Sequence, residues 1–185
     1  MKIFKLLDEM ACITRWSQVY SAKRESVLEH TAFVALYSYQ MCCKYKIQGK
    51  ERELTLIKAL VHDVDEVVTG DIPTPTKYDN DTIRNEIEIL ERGAAAGISS
   101  AAFKGDMFQY WCSAKNITTE SGCIIAISDA AAVVYKIWQE TSVGNKSFKQ
   151  FIPNIDKALL KIEAKVMPVF IPEIAILRLF LEELK

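Results

Sequence analysis

The repeat of the apolar residues constrains this fold more than any other feature of the sequence. Apolar residues recur at helical spacing along nearly the whole chain, and the alternating runs bounded by turn residues that indicate strands are missing. With 185 residues, of which 50% are hydrophobic, the chain is long enough to bury a sizeable core. The sequence therefore predicts an all-α fold. No shift in composition marks a boundary, so residues 1–185 are expected to form a single domain.

Capping residues and helix breakers set the predicted helix boundaries. Ser26 followed by Glu29 forms a capping-box pattern, and Thr119 is a second N-cap candidate. The prolines and aspartates of GDIPTPTKYDND predict a shaped loop, and Gly93 and Gly97 are predicted to separate two helices. Predicted helices cover about 2–13, 26–46, 51–68, 82–92, 101–114, 119–140, 147–166 and 172–184.

The charge balance excludes one large class of partner. The chain has 23 Lys and Arg residues against 24 Asp and Glu residues, with a pI of about 6.2. A nearly neutral chain has no overall field to hold a polyanion, so polymeric nucleic acid is not an expected partner.

The cysteines and the apolar termini predict a cytoplasmic protein. Five cysteines without a CxxC pair fit neither a disulfide framework nor a zinc ribbon. The first apolar segment contains acidic residues, unlike a signal peptide. Pro168, Pro172, Glu173 and Arg178 interrupt the last apolar segment, so no membrane span is expected.

His62, Asp63 and Glu66 stand together in the run LVHDVDEVVTGD. On a helix these three side chains span an arc of about 100°. The helix surface next to Asp63 is formed by apolar residues. An ionised carboxylate there is costly unless a cation or several donors compensate it. The pair therefore suggests a metal, although a His-Asp dipeptide also arises by chance.

Two further residues strengthen the metal hypothesis. His30, the other of only two histidines, shares a helical face with apolar residues, and Asp129 is the one charged residue between Cys123 and Tyr135. A lone inward histidine is more often a hydrogen-bonded core residue than a ligand. Two imidazoles and two carboxylates from three helices, however, would leave water positions open on a divalent ion, as in a catalytic site.

Four segments of the sequence resemble a known family. They are Arg15-Trp16, SVLEHTAFVA, VHDVDEVVTGDIPTPTKY and SDAAAVVYK, in that order. Together they resemble the HD-domain phosphohydrolases and, through TGDIPTPTK, the YfbR-type 5′-deoxynucleotidases. The resemblance covers about residues 15–136, and the closing helices at about 147–184 would complete an HD-domain helical bundle.

The resemblance implies a metal-dependent enzyme that converts dNMP to deoxynucleoside and phosphate. It also implies a homodimer with one divalent ion per subunit, Co²⁺, Mn²⁺ or similar. The implied metal ligands are His30, His62, Asp63 and Asp129.

The resemblance also implies the roles of the remaining site residues. Arg15 would orient the phosphate, Glu66 would position the attacking water, and Asp129 could assist proton transfer. Trp16 would pack on the sugar and leave no room for a 2′-hydroxyl. The implied nucleoside-binding loop consists of Asp71, Ile72, Pro73 and Thr74.

Three positions leave alternatives open. Lys77 adds a cation near the expected phosphate, as in the related DatZ-type dNTP triphosphohydrolases, which release the whole triphosphate. Many relatives of both groups carry a lysine at the position of Ala126. The absence of that positive charge weakens the case for a triphosphate substrate. Gln18 could contact the base edge or be a solvated loop residue. A non-catalytic helical module is the alternative from a different class.

Overall fold

The computed structural model describes residues 2–77 and 80–185. The segments with the apolar repeat form a bundle of helices. Two very short strands, β1 (Thr14–Arg15) and β2 (Glu25–Ser26), pair antiparallel after the first helix, and the remaining elements are helical, which confirms the predicted all-α class. The helices are α1 (Lys2–Cys12), α2 (Val27–Lys44), α3 (Gly49–Val61), α4 (Glu66–Thr69), α5 (Thr74–Lys77), α6 (Asp81–Phe103), α7 (Met107–Ala114), α8 (Glu120–Ser142), α9 (Ile152–Glu163) and α10 (Ile171–Glu183). Short 3₁₀ turns at Lys146–Phe151 and Pro168–Phe170 lead into α9 and α10.

Helix α8 is the centre of the core. It packs against α2, α3, α7, α9 and α10, and its apolar side chains contact Phe148 and Phe170. Within the described part of the chain, α8 is the one helix long and apolar enough to cross a membrane, but 67% of its apolar window is buried inside the bundle. Its apolar residues therefore serve the core, where each large side chain contributes about 1.5–3 kcal/mol.

The predicted caps are confirmed. The Ser26 side chain accepts a hydrogen bond from the Glu29 N–H, and the Glu29 carboxylate accepts one from the Ser26 N–H, which completes the capping box at the start of α2. Thr119 Oγ1 accepts a bond from the Gly122 N–H at the start of α8. Both helices that supply central site residues therefore have fixed starting points.

The predicted break at Gly93 and Gly97 is wrong, because α6 continues from Asp81 to Phe103 without interruption. A glycine inside a helix costs only about 1 kcal/mol relative to alanine, and the burial of Ala94 and Ala95 favours continuation. The helix ends instead at Lys104 and Gly105, which have φ values of 55° and 101°. Both of their N–H groups donate to the Ser99 carbonyl.

The predicted helix at 51–68 is also interrupted. Helix α3 ends at Val61, residues 62–65 form a turn, and α4 begins at Glu66. Within the expected loop, Thr74–Lys77 forms the short helix α5. The turn lies at the His-Asp pair, so the departure from the predicted helix coincides with the candidate site.

Candidate active site

The strand pair brings Arg15 and His30 together. Arg15 lies opposite Glu25 in the β1–β2 register, and Ser26 then caps α2, which places His30 in the first turns of that helix. Glu25 contacts both, since its carboxylate lies 4.0 Å from Arg15 Nε and 3.9 Å from His30 Nδ1. Glu25 is a site residue that the sequence did not predict, because only the strand pairing reveals its position.

The turn after α3 orients His62 and Asp63. The Ala59 carbonyl lies 2.7 Å from His62 Nδ1, and a carbonyl only accepts hydrogen bonds, so Nδ1 carries the proton. His62 Nε2 is therefore left with a lone pair. The Asp63 carboxylate lies 3.1 Å from that Nε2 atom.

Helix α8 supplies Asp129. Ser38 Oγ of α2 donates to Ser128 Oγ of α8 over 3.0 Å in the buried helix contact, which fixes the neighbouring residue. Asp129 stands among apolar residues of α8, yet its side chain is 48% exposed, because it borders a cavity of about 370 Å³. His62 and Asp63 border the same cavity.

Three of the four predicted ligands, His30, His62 and Asp129, cluster together, and Asp63 contacts both histidines. His30 Nε2 lies 3.1 Å from an Asp129 oxygen and 3.3 Å from an Asp63 oxygen. The candidate ligand atoms of His30, His62 and Asp129 all lie within 4.8 Å of one another. Since ligand atoms bound at about 2.1 Å to one ion are typically about 3 Å apart, this spacing suits a single divalent cation.

Unpartnered polar atoms support this fit. His30 Nε2 and His62 Nε2 are both buried, and within residues 2–77 and 80–185 neither forms a hydrogen bond of good geometry, although carboxylate oxygens lie 3.1–3.3 Å away. Buried polar atoms almost always form hydrogen bonds, so two imidazole nitrogens that face carboxylate oxygens without a well-formed bond indicate an arrangement built for a bound group.

The charges around the site favour a cation. Burial and Arg15 lower the pKa of His30, but the carboxylates of Asp129 and Asp63 outweigh them and raise it to about 9. Burial would raise the pKa of Asp63, whereas its two histidine neighbours hold it well below the usual range. The protein therefore draws a positive charge to the position where the four ligands meet.

Arg15 and Glu66 lie beside the ligands. Arg15 Nη1 is 3.5 Å from Asp63, 3.8 Å from Glu66 and 4.0 Å from Asp71. Burial opposes the charge of Arg15, but these carboxylates and Asp129 raise its pKa. Burial and the charge of Asp63 raise the pKa of Glu66 to about 9, and Glu66 Oε2 is buried without a partner among the described residues.

A model of the YfbR-like 5′-deoxynucleotidases matches residues 2–176 of the chain. The chain belongs to this family. It is 30% identical over 162 residues to the 5′-deoxynucleotidase YfbR of Salmonella typhi, covering 84% of this chain and 81% of that protein.

Solved structures agree with this assignment. An HD-domain phosphohydrolase from Listeria innocua superimposes with a TM-score of 0.73 at 25% identity, covering 98% of this chain and 85% of that one. The DatZ phosphohydrolase of cyanophage S-2L, bound to dA and one catalytic Zn²⁺ ion, gives a TM-score of 0.66 at 17% identity, covering 97% and 95%. The recognised family, the HD-domain fold and the hydrolase activity predicted from the sequence are therefore confirmed.

In this member of the deoxynucleotidase family, Trp16 and Asp71 are connected by a hydrogen bond. The Trp16 N–H donates to Asp71 Oδ2 over 3.1 Å, and the indole packs against Phe148 and Phe151 at centroid distances of 5.3 and 5.4 Å. Trp16 has a φ of 61°, a backbone conformation that few residues with a Cβ adopt. The surrounding structure holds Trp16 beside Arg15 in this strained conformation.

The other predicted substrate contacts have mixed positions. Ile72 and Pro73 are half-buried between α4 and α5, and Lys77 borders the cavity with its amine 2.5 Å from Glu91. Thr74 belongs to α5, but its side chain lies outside the described part of the structure. Gln18 is exposed between the two strands and is not brought into contact with the ligands.

Helix α8 also carries a buried ion pair that was not predicted from the sequence. Lys136 and Glu140 have side-chain exposures of 2% and 0%, and their charged atoms lie 2.7 Å apart. Glu140 accepts hydrogen bonds from the Ala22 and Lys23 N–H groups, which ties the segment between β1 and β2 to α8. Their i,i+4 spacing was a signal, but it also occurs in many exposed pairs.

Proposed function

We propose that the protein hydrolyses the 5′-phosphate ester of deoxyribonucleoside monophosphates and releases deoxynucleoside and phosphate. The supporting observation is the convergence of His30, His62, Asp63 and Asp129, with Arg15 Nη1 3.5 Å from Asp63. Family membership adds the substrate class. Arg15, Glu66 and Asp129 are the proposed catalytic residues.

His30, His62, Asp63 and Asp129 would hold one divalent ion. Such an ion, when bound, neutralises phosphate charge and makes a water molecule acidic enough to react near neutral pH. Two imidazoles and two carboxylates suit Co²⁺, Mn²⁺ or Zn²⁺, and metal analysis of the purified protein distinguishes them.

Arg15 is the proposed phosphate-binding residue. Its planar guanidinium can donate two parallel hydrogen bonds to a phosphoryl group. The carboxylates around it keep it charged and limit its movement, so the site is ordered before substrate arrives. This placement would orient the phosphorus toward the attacking water.

Glu66 is the group proposed to accept the proton of that water. Its Oε2 atom is buried without a described partner, and a bound cation would favour the ionised form of the carboxylate. The departing 5′ oxygen takes up a proton as the P–O bond breaks. Asp129, which borders the cavity, is the group proposed to assist that transfer.

Trp16 and the loop that begins at Asp71 form the proposed sugar site. The indole would exclude a 2′-hydroxyl, and Asp71 would accept a hydrogen bond from the 3′-hydroxyl. The hydrogen bond between Trp16 N–H and Asp71 fixes the two groups relative to each other. Ile72, Pro73, Thr74 and Gln18 are proposed to contact the rest of the nucleoside.

A dNTP triphosphohydrolase is the second candidate. It is favoured by Lys77 and Lys115, which border the cavity next to His62 and Asp63. A panel of dNMPs, NMPs and dNTPs with defined divalent metals, read for phosphate chain length, separates the two. We expect phosphate from dNMPs. Tripolyphosphate from dNTPs with inert dNMPs would select the second candidate, and no turnover of any nucleotide would contradict both.

A cytoplasmic homodimer is proposed for the assembly. All five cysteines are unpaired, which suits a reducing compartment. Phe4 and Leu179 are 72% and 67% exposed, and such apolar side chains are candidates for a subunit interface. Sedimentation equilibrium measures the subunit number.

A further inference from the structure

The cavity beside the metal ligands is lined by His62, Asp63 and Asp129, and Arg15 and Trp16 are not among the described residues that line it. Its lining also contains four lysines from three regions of the chain. These are Lys77, Lys115, Lys161 and Lys165.

Two of these lysines are compensated by buried carboxylates. Glu91 lies 2.5 Å from the Lys77 amine and 3.7 Å from the Lys115 amine. Asp65 lies 3.5 Å from the Lys115 amine, and both acidic residues are buried. These contacts hold the two amines at the cavity wall.

The other two lysines have no such partner. Lys161 lies on α9 and Lys165 just beyond its end, and both are exposed. Across residues 2–77 and 80–185, neither amine has a carboxylate within 4.0 Å, so the cavity mouth carries two uncompensated positive charges. Like charges repel each other, and an anion between them removes that cost.

We propose that the lysine-lined part of this cavity binds a phosphate group other than the one that Arg15 orients. Ala126 lies on the same lining and has a small side chain that leaves space beside Asp129. The role rests on the proposed function, because the bound group is either the inorganic phosphate product or the outer phosphates of a longer nucleotide. Lys161 and Lys165 are the residues that set its affinity.

The test compares phosphate binding in matched variants of the full-length, metal-loaded protein. The Lys161→Ala/Lys165→Ala double variant removes both uncompensated amines. Lys157→Ala is the control, because Lys157 is exposed on the same helix and does not line the cavity. Equilibrium dialysis at low ionic strength then measures the affinity for inorganic phosphate and for tripolyphosphate.

We expect the double variant to bind at least one of these anions about tenfold more weakly, which corresponds to about 1.4 kcal/mol. The Lys157→Ala variant should match the wild type, and Lys161→Arg/Lys165→Arg should recover most of the affinity because it keeps both charges. Equal affinity of the wild type and the double variant for both anions would overturn the proposal.

The two anions identify the source of the bound group. Weaker binding of inorganic phosphate, with a raised inhibition constant of phosphate in dNMP hydrolysis, indicates a product site. Weaker binding of tripolyphosphate alone, with a larger loss for dNTP than for dNMP, indicates a site for the outer phosphates. Failure of the proposed function would appear separately, as absence of dNMP turnover by the wild type.

Discussion

Two clusters of charged residues along α8 differ in how completely their polar atoms are satisfied. At the candidate active site, His30 Nε2, His62 Nε2 and Glu66 Oε2 are buried and form no well-formed hydrogen bond in the described structure. At the other cluster, the Glu140 carboxylate accepts bonds from Ser21, Ala22, Lys23, Lys136 and Asn145.

The contrast separates structural from chemical use of buried charge. A fully bonded carboxylate stabilises the fold, whereas unpartnered atoms cost free energy that a ligand can recover. Both clusters contact the segment that contains β1 and β2: the first through Arg15, the second through Ala22 and Lys23. Substitutions should therefore affect chemistry at the first cluster and stability at the second.

The largest effect is expected for Asp63→Ala. This change removes a carboxylate 3.1 Å from His62 Nε2 and 3.3 Å from His30 Nε2, so the protein should lose its bound metal and nearly all activity. Elemental analysis of the purified variant measures the metal. Retention of a full equivalent would contradict the role of Asp63 as a ligand.

Glu66→Gln should lower kcat about 10²–10⁴-fold while the metal content stays the same, because the amide cannot accept the water's proton. Thermal stability should change little, because Glu66 Oε2 forms no hydrogen bond among the described residues and Arg15, 3.8 Å from the other oxygen, keeps Asp63 and Asp71 as partners. Steady-state kinetics with dNMP and elemental analysis test the two parts. Metal loss equal to that of Asp63→Ala would show that Glu66 is a ligand instead.

The sequence predicted those features that depend on contacts between residues close together in the chain. The capping box at Ser26 and the apolar face of α2 act within a few residues, so the sequence predicted the position and burial of His30. Tertiary packing decides whether the helix continues through Gly93 and whether Arg15 pairs with Glu25. A local sequence repeat carries no information about such packing.

The same limit applies to the lysines around the cavity. Lys115, Lys161 and Lys165 come from separate regions of the chain, and only the packed helices bring them to one cavity. By contrast, His62, Asp63 and Glu66 are close in sequence, and His62 is one of only two histidines, so the sequence alone marks this run as a candidate site.

Glu140→Gln tests the second cluster, and it should destabilise the fold by about 3 kcal/mol. The change leaves Lys136 as a buried charge without its counterion, and breaking such a pair is strongly unfavourable. Denaturant unfolding measures the loss. Glu120→Gln on the same helix, where the side chain is exposed, is the matched control and should change stability by less than about 0.5 kcal/mol.

The stability difference between the wild type and the Glu140→Gln variant should depend on pH. Burial would raise the pKa of Glu140, but Lys136, Asn145, Ser21 and Ala22 lower it far below the usual range. The stabilisation is therefore complete above about pH 5 and is lost as the pH falls toward the lowered value. The stability advantage of the wild type over Glu140→Gln should shrink between pH 6 and pH 3, at about constant ionic strength. A constant advantage would contradict the assignment.

Trp16→Ala should have the smallest effect, and it tests the segment that the two clusters share. The indole packs on Phe148 and Phe151, next to the region that Lys136 and Glu140 hold in place. Removing it should open the space proposed for the 2′ position and reduce the preference for dAMP over AMP about tenfold, a change of about 1.4 kcal/mol. The ratio of kcat/KM for the two substrates measures this preference, with Trp138→Ala as a control at a partly exposed indole. An equal loss for both substrates would mean that Trp16 only supports the fold around Arg15.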